Sequence, residues 1–171
     1  MPQTVTPAIA FPATAFKAHD HRVCCGDVMR RAERMAAEAG LRLTPVRRRA
    51  LEILLEEHRA LGAYEVLDRL ARSGFARQPP VAYRALEFLV KAGLAHRIRR
   101  LNAFTACMRP GEAHVPAFFI CTRCESVAEA VLAGVGAAMG EAAREMGFEI
   151  ERMNLEAAGI CPACHGEEAA P

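Results

Sequence analysis

The sequence predicts an α+β chain of two units, a helical unit closed by a β-hairpin and then a small α/β unit. Three observations carry this. Two Cys-x-x-Cys knuckles, Cys121-Thr122-Arg123-Cys124 and Cys161-Pro162-Ala163-Cys164, bracket a stretch long enough for a helix and a strand. Ahead of them, four helical periodicities with start and stop signals lead into a hairpin pattern. Charge divides along the same line: residues 1–105 carry 18 Lys+Arg and 10 Asp+Glu, net +8, whereas residues 106–171 carry 4 and 10, net −6. A basic unit joined to an acidic one suggests that only the first meets a polyanion.

Residues 1–18 are rich in Ala, Pro and Thr, and the segment 1–26 reads as a flexible tail. It has no basic n-region and holds three prolines in its first 18 residues, so it resembles neither a signal nor a transit peptide. With no apolar run of membrane-spanning length, the expectation is a cytoplasmic protein with no membrane partner. The tail ends in His19-Asp20-His21-Arg22-Val23-Cys24-Cys25. His19, His21 and Cys24 could be an accessory metal set, or a chance cluster in a solvated tail.

The DNA-reading unit is expected over 27–108. Asp27 is a candidate N-cap for a first helix whose apolar face is Val28, Ala32, Met35, Ala36 and Ala39, with Gly40 to close it. Thr44 and Pro45 open the second helix, which carries Arg47, Arg48 and Arg49 as a basic shoulder. A third runs from about Ala63 to Arg72 and stops at Ser73-Gly74. After Gln78-Pro79-Pro80, residues Val81 to Ala92 make a fourth, with Tyr83 and Arg84 facing outward near its start. Leu94 to Ile98 and Ala103 to Cys107 then pair around Arg99-Arg100-Leu101-Asn102. Helices followed by a basic-tipped wing are the order of a winged helix-turn-helix, which favours duplex DNA over a merely solvated arginine face.

Residues 109–116 form a hinge, and 117–171 the second unit. Ala117 to Ile120 reads as a buried strand, Leu132 to Met146 as an Ala/Gly-rich helix and Phe148 to Leu155 as an alternating strand. So small a sheet leaves edges that invite pairing with a second copy.

Four thiolates delivered as two knuckles suit one tetrahedral structural zinc at Cys121, Cys124, Cys161 and Cys164. Disulfides are disfavoured in a reducing compartment, and neither knuckle reads as the strand-to-helix start of a redox pair. Four more residues have ligand chemistry: His96 and Cys107 on the wing arms, His114 in the hinge and Glu129 after the first knuckle. Two imidazoles, a thiolate and a carboxylate make a workable zinc set, though sequence spacing alone does not join them. A hydrolase using Glu129 as base is the enzymatic alternative. Four ligands would close the position that catalytic zinc keeps for water, and no separate acid-base pair is evident, so no enzyme and no small-molecule substrate are expected.

The chain resembles the ferric uptake regulator superfamily, and within it the zinc uptake regulator branch, over roughly Arg30 to Cys164. The resemblance rests on Leu43-Thr44-Pro45-Val46-Arg47, on Pro79 to Leu89, on Phe119-Ile120-Cys121-Thr122-Arg123-Cys124 and on Gly159-Ile160-Cys161-Pro162-Ala163-Cys164. It implies an N-terminal winged helix, a C-terminal α/β dimerisation domain and a homodimer, with one or two dimers per operator, that represses zinc-uptake genes when zinc-loaded. The cysteine set would be structural, and His96, Cys107, His114 and Glu129 regulatory. Tyr83 and Arg84 match recognition-helix positions, and Arg47, Arg99 and Arg100 are candidate phosphate contacts. Ala158 stands where many relatives carry a further histidine, so two zinc ions per chain are expected. A thiolate in the regulatory set favours zinc over iron(II) or manganese, whose sensors are the nearest alternative.

Overall fold

The structure, a computed structural model, describes residue 16, residues 20–132 and residues 134–166. Asp20 opens the first helix, α1 (His21–Glu38), by accepting the amides of Arg22 at 3.0 Å and Val23 at 3.4 Å. This corrects the start expected at Asp27 and the tail boundary at residue 26. A carboxylate that satisfies two orphan amides is worth about 1 kcal/mol, and Cys25 gains packing against the core one turn later. Asp27 instead pairs along the helix with Arg30.

α2 (Pro45–Leu55), α3 (Ala63–Arg72) and α4 (Pro79–Lys91) follow the expected pattern, the two prolines of α4 lying inside its first turn. Leu51, Ile53, Leu54, Leu61, Val66, Leu70, Leu86 and Leu89 are all buried in the core they share. β1 (Ala95–Ile98) and β2 (Ala103–Ala106) form the wing, His96 opposite Thr105, and Asn102 takes the left-handed conformation of its turn. Four helices and a hairpin thus stack on one apolar interior, α1 through Val28, Met29 and Ala32.

In the second unit β3 (Pro116–Cys121) is central, antiparallel to β4 (Val127–Val131) and parallel to β5 (Leu155–Gly159). β4 was not expected, and β5 corrects the strand expected at Phe148 to Leu155. Its position is decided by pairing, Ala117 with Leu155 through Cys121 with Gly159, and this register sets the second knuckle beside the first. Between them lies α5 (Val135–Glu145), shorter at both ends than expected, and α6 (Pro162–Gly166) follows. β5 is a sheet edge with Ala157, Ala158 and Gly159 exposed.

The two units meet through Ile98 and Ala103 of the wing, Phe118 and Ile120 of β3, Val127 of β4 and Ala60. Backbone joins them as well: Val127 N donates to His58 O at 2.9 Å, and Arg59 bridges to Ser126. At the wing tip the Glu156 carboxylate of β5 accepts the amides of Arg99 at 2.7 Å and Arg100 at 3.0 Å.

Candidate metal centres and nucleic-acid interface

Cys121 ends β3, Cys124 lies in the tight turn that Glu125 leaves with positive φ, and Cys161 and Cys164 flank the start of α6. One ligand atom from each of the four lies within 4.8 Å of all the others. The Cys124 and Cys161 sulfurs are 3.7 Å apart. Two sulfurs on one zinc, at Zn–S of about 2.3 Å, stand about 3.8 Å apart in a tetrahedron, so this pair already has the spacing of two ligands on one ion. Amides of Cys124 and Cys161 point at Cys121 and bring its thiol down to about 6, which favours the thiolate that binds metal. The second knuckle lies at a strand-to-helix junction, but no strand follows α6 among the described residues, so it is not the start of a βαβ unit. Its thiols face the first knuckle, so the arrangement is that of a four-ligand cluster.

His96 on β1, Cys107 just past β2, His114 in the segment before β3 and Glu129 on β4 form the other such group among the described residues. The topology does what spacing could not: the wing arms carry two ligands to a sheet that carries the third, with the hinge adding the fourth. His114 Nε2 lies 2.8 Å from Glu129 Oε1 and 3.8 Å from Cys107 Sγ, and His96 Nε2 is 3.5 Å from the same carboxylate oxygen. The His96 nitrogen is buried with no hydrogen-bond partner among the described residues, an orphan that a cation would satisfy. Outer contacts fix the donors: Met108 N donates to Glu129 Oε2 at 2.9 Å, and His114 Nδ1 is 2.7 Å from Glu112 O. A histidine so held presents Nε2 to the site.

Electrostatics agree with a cation site. Burial opposes charge on Glu129, yet the hydrogen bond from His114 and the nearby His96 ring overcome it and hold the carboxyl at about 2. Burial, reinforced by the Glu129 charge, pushes the Cys107 thiol up to about 12, and the Glu129 hydrogen bond raises His114. A divalent ion would stand in for the proton that His114 now shares with Glu129 and would stabilise Cys107 as the thiolate that burial and the carboxylate disfavour.

Of the accessory residues, His19 lies outside the described ones. α1 puts His21 beside Cys25, Nε2 to Sγ 3.4 Å, and its ring 4.3 Å from that of His58.

On the helical unit, Tyr83 and Arg84 are exposed at the start of α4 as expected. Tyr64 at the start of α3 is exposed too, 6.5 Å from Tyr83 and edge-on to it. Sequence reasoning missed Tyr64; the available signal was a large aromatic on the polar side of an amphipathic helix. Arg47 stacks over Phe88 at 3.6 Å, which ties α2 to α4, and donates to Arg42 O at 2.8 Å. Arg48 and Arg49 are engaged by Glu33, Glu52 and Glu56. Arg99 and Arg100 are exposed, their backbone anchored by Glu156 as described above.

A sequence profile of the ferric uptake regulator family matches residues 38–158. The zinc uptake regulation protein of Escherichia coli (strain K12) is 35% identical over 144 residues, 84% of each chain. Among solved structures, a zinc uptake regulator complexed with zinc and DNA superposes with a TM-score of 0.81 at 35% identity, covering 85% of this chain and 98% of that one. Holo XcZur superposes with a TM-score of 0.75 at 38% identity, covering 82% and 98%. Among the described residues no helix is long and apolar enough to cross a membrane.

Proposed function

This chain belongs to the ferric uptake regulator family, and on that premise we propose that it is a zinc-responsive repressor that grips operator DNA as a homodimer and silences zinc-uptake genes. It is a transcription regulator and not an enzyme. The observation that carries the proposal is the ligand group His96, Cys107, His114 and Glu129, which spans wing, hinge and sheet. The thiolate in that group argues for zinc and against the harder ions iron(II) and manganese.

In this reading residues 20–108 read DNA, 109–116 are the hinge, and 117 onward dimerise around the four cysteines. Bound zinc supplies short, directional bonds that hold three segments at one point. His96 and Cys107 then tie the wing to Glu129 on β4, and His114 fixes the hinge between them. The exposed β5 edge, with the exposed Met139, Met146 and Phe148 of the same unit, supplies a surface for the second copy. In a dimer the angle between units sets the separation of the two α4 helices, and DNA offers half-sites on one face only every ~34 Å. Zinc favours the competent angle by its differential affinity for it and shifts the population accordingly. Two ions per chain and one or two dimers per operator complete the proposal, with the cytoplasm as its place of action.

Gel-shift titration on a palindromic operator against free zinc, iron(II) and manganese tests the whole. Tight binding should appear with zinc at the lowest free concentration, and stepwise shifts report whether a second dimer joins. Equal operator affinity with and without zinc would sink the switch.

Recognition and anchoring should separate in the same assay. Arg84→Ala is expected to cost about 1–3 kcal/mol at particular base pairs and to relax preference there. Arg99→Ala or Arg100→Ala should weaken all sequences alike and lower the slope of log affinity against log salt by about 1.

The pH dependence of zinc binding follows from the thiol. Cys107, pushed up to about 12, carries its proton at neutral pH and must lose it to coordinate, whereas Glu129 at about 2 is already charged. Affinity of this centre should therefore rise with pH, about tenfold per unit between roughly pH 7 and 9. The raised His114 adds a second proton to displace at lower pH, so the slope should steepen there. Chelator competition at a series of pH values measures it, and a flat profile would rule Cys107 out as a ligand.

A further inference from the structure

We infer that Glu156 is a positioning residue for the wing, a clasp without metal that favours the competent angle between the units and so sets how much zinc the switch requires. The inference rests on the zinc-switch reading above and assigns part of it to a residue outside both ligand groups. Strand register puts Glu156 in place. Phe118 of β3 is paired with Glu129 of β4 on one side and with Glu156 of β5 on the other. Residues level with one another in a sheet project from the same face, so these three form one row across it. The row meets the wing from end to end. Glu129 joins His96 and Cys107 at the open end of the hairpin, the Phe118 ring stands 5.3 Å from that of His96 and packs with Ile98, and Glu156 takes the turn.

The contact at the turn is specific. Glu156 Oε1 accepts the Arg99 amide at 2.7 Å and Oε2 the Arg100 amide at 3.0 Å, so each carboxylate oxygen takes one of two consecutive backbone donors. Hydrogen bonds to an ionised acceptor are the stronger kind. Asn154, two residues earlier, donates to Glu156 Oε1 at 3.1 Å and to Arg97 O at 3.4 Å, which orients the carboxylate and adds a second tie to the wing. Arg99 and Arg100 themselves stay exposed, so the clasp fixes the backbone that carries both candidate phosphate contacts. These bonds coexist with the gathered ligand group in one arrangement of the units, and both therefore favour the same angle. When the units part, the two amides return to water as the ligand group opens. A contact made only in the competent arrangement lowers the free zinc needed to populate it. Its removal weakens zinc binding by the factor lost in competent population, yet leaves operator affinity at saturating zinc intact.

Chelator competition on the full-length dimer, without DNA, measures zinc affinity at the mixed ligand group. Glu156→Ala should weaken it about tenfold, the worth of two charge-assisted bonds at a half-buried site, with the number of ions bound at saturation unchanged. Glu156→Gln keeps the shape and one acceptor oxygen and should weaken it about threefold; it serves the same test if the alanine variant does not dimerise. In gel shifts the zinc concentration at half-maximal operator binding should move by the same factors, while affinity at saturating zinc stays within about twofold of the unmodified protein. Glu151→Gln, which removes an exposed charge from the same unit, is the control and should move neither. Sedimentation certifies that each variant is a dimer. Unchanged zinc affinity in dimeric Glu156→Ala or Glu156→Gln would overturn the clasp. So would operator binding that tightens at every zinc concentration, the mark of a carboxylate competing with phosphate for the wing amides. Operator binding by the unmodified protein that ignores zinc would instead remove the switch reading, and the chelator titration would still decide the role of Glu156.

Discussion

Cys107→Ser is expected to lower operator affinity about 100-fold at zinc concentrations that saturate the unmodified protein, while leaving a folded dimer. The thiol sits at the one position where the wing hands over to the hinge, fully buried, 3.8 Å from His114. Serine keeps the volume close to that of cysteine and can share a hydrogen bond with His114 or Glu129, so packing survives. What it cannot supply is a soft, anionic donor. The remaining set of two imidazoles and a carboxylate loses much of its preference for zinc and the bond that closes the wing onto the sheet. The wing would then rest on its apolar contacts at Ile98 and Phe118 and on the Glu156 carboxylate under its turn, while backbone contacts of His58 and Arg59 with β4 and Ser126 join the units beside it. Each of these lacks any dependence on zinc. The signature is a dimer that retains the cysteine-bound ion and one fewer ion overall, yet binds operator equally weakly at every zinc concentration. Zinc-dependent binding of unmodified strength in Cys107→Ser would refute the tether.

How far the sequence could be read depended on whether spacing or pairing decides the outcome. The cysteine knuckles were legible because each pair fixes its own geometry within four residues. The helices α2, α3 and α4 were legible because capping, proline at the first turn and periodicity agreed. The mixed ligand group was different: His96, Cys107, His114 and Glu129 meet only after the wing folds back on β4, and resemblance to known regulators had to supply what spacing did not. β4 itself escaped because Val127-Ala128-Glu129-Ala130-Val131 is buried along most of its length, so no alternation marks it, and its alanines favour helix. β5 was misplaced since its register is set by β3, a partner far away in the chain. α1 started late on paper because Asp27 stands directly before the apolar periodicity, whereas in the structure Asp20 caps the helix and His21 of the first turn reaches Glu56 of the α2–α3 loop.

Cys121→Ser should behave in the opposite way, costing the fold of the second unit and with it the dimer. Cys121 ends the central strand, is buried, and has the Cys161 amide directed at its sulfur at 3.4 Å. Its partners in the four-thiol set close the loop between β3 and α6, so the ion they bind contributes folding free energy. For structural zinc that contribution is of order 10–16 kcal/mol, comparable with or larger than the 5–15 kcal/mol that stabilises a whole domain. The apolar residues of this unit do little to replace it, since Met139, Met146 and Phe148 are exposed in the single chain. The variant is expected to sediment as monomer or aggregate, to lose operator binding at all zinc concentrations, and to show the same loss of structure that a strong chelator produces in the unmodified protein. Hydrogen exchange should locate that loss at β3, β5 and α6, with α2 to α4 protected because their core is separate. A stable Cys121→Ser dimer with an unchanged metal count would show that the four cysteines are not a structural centre, and the division of labour between the two ligand groups would fall with it.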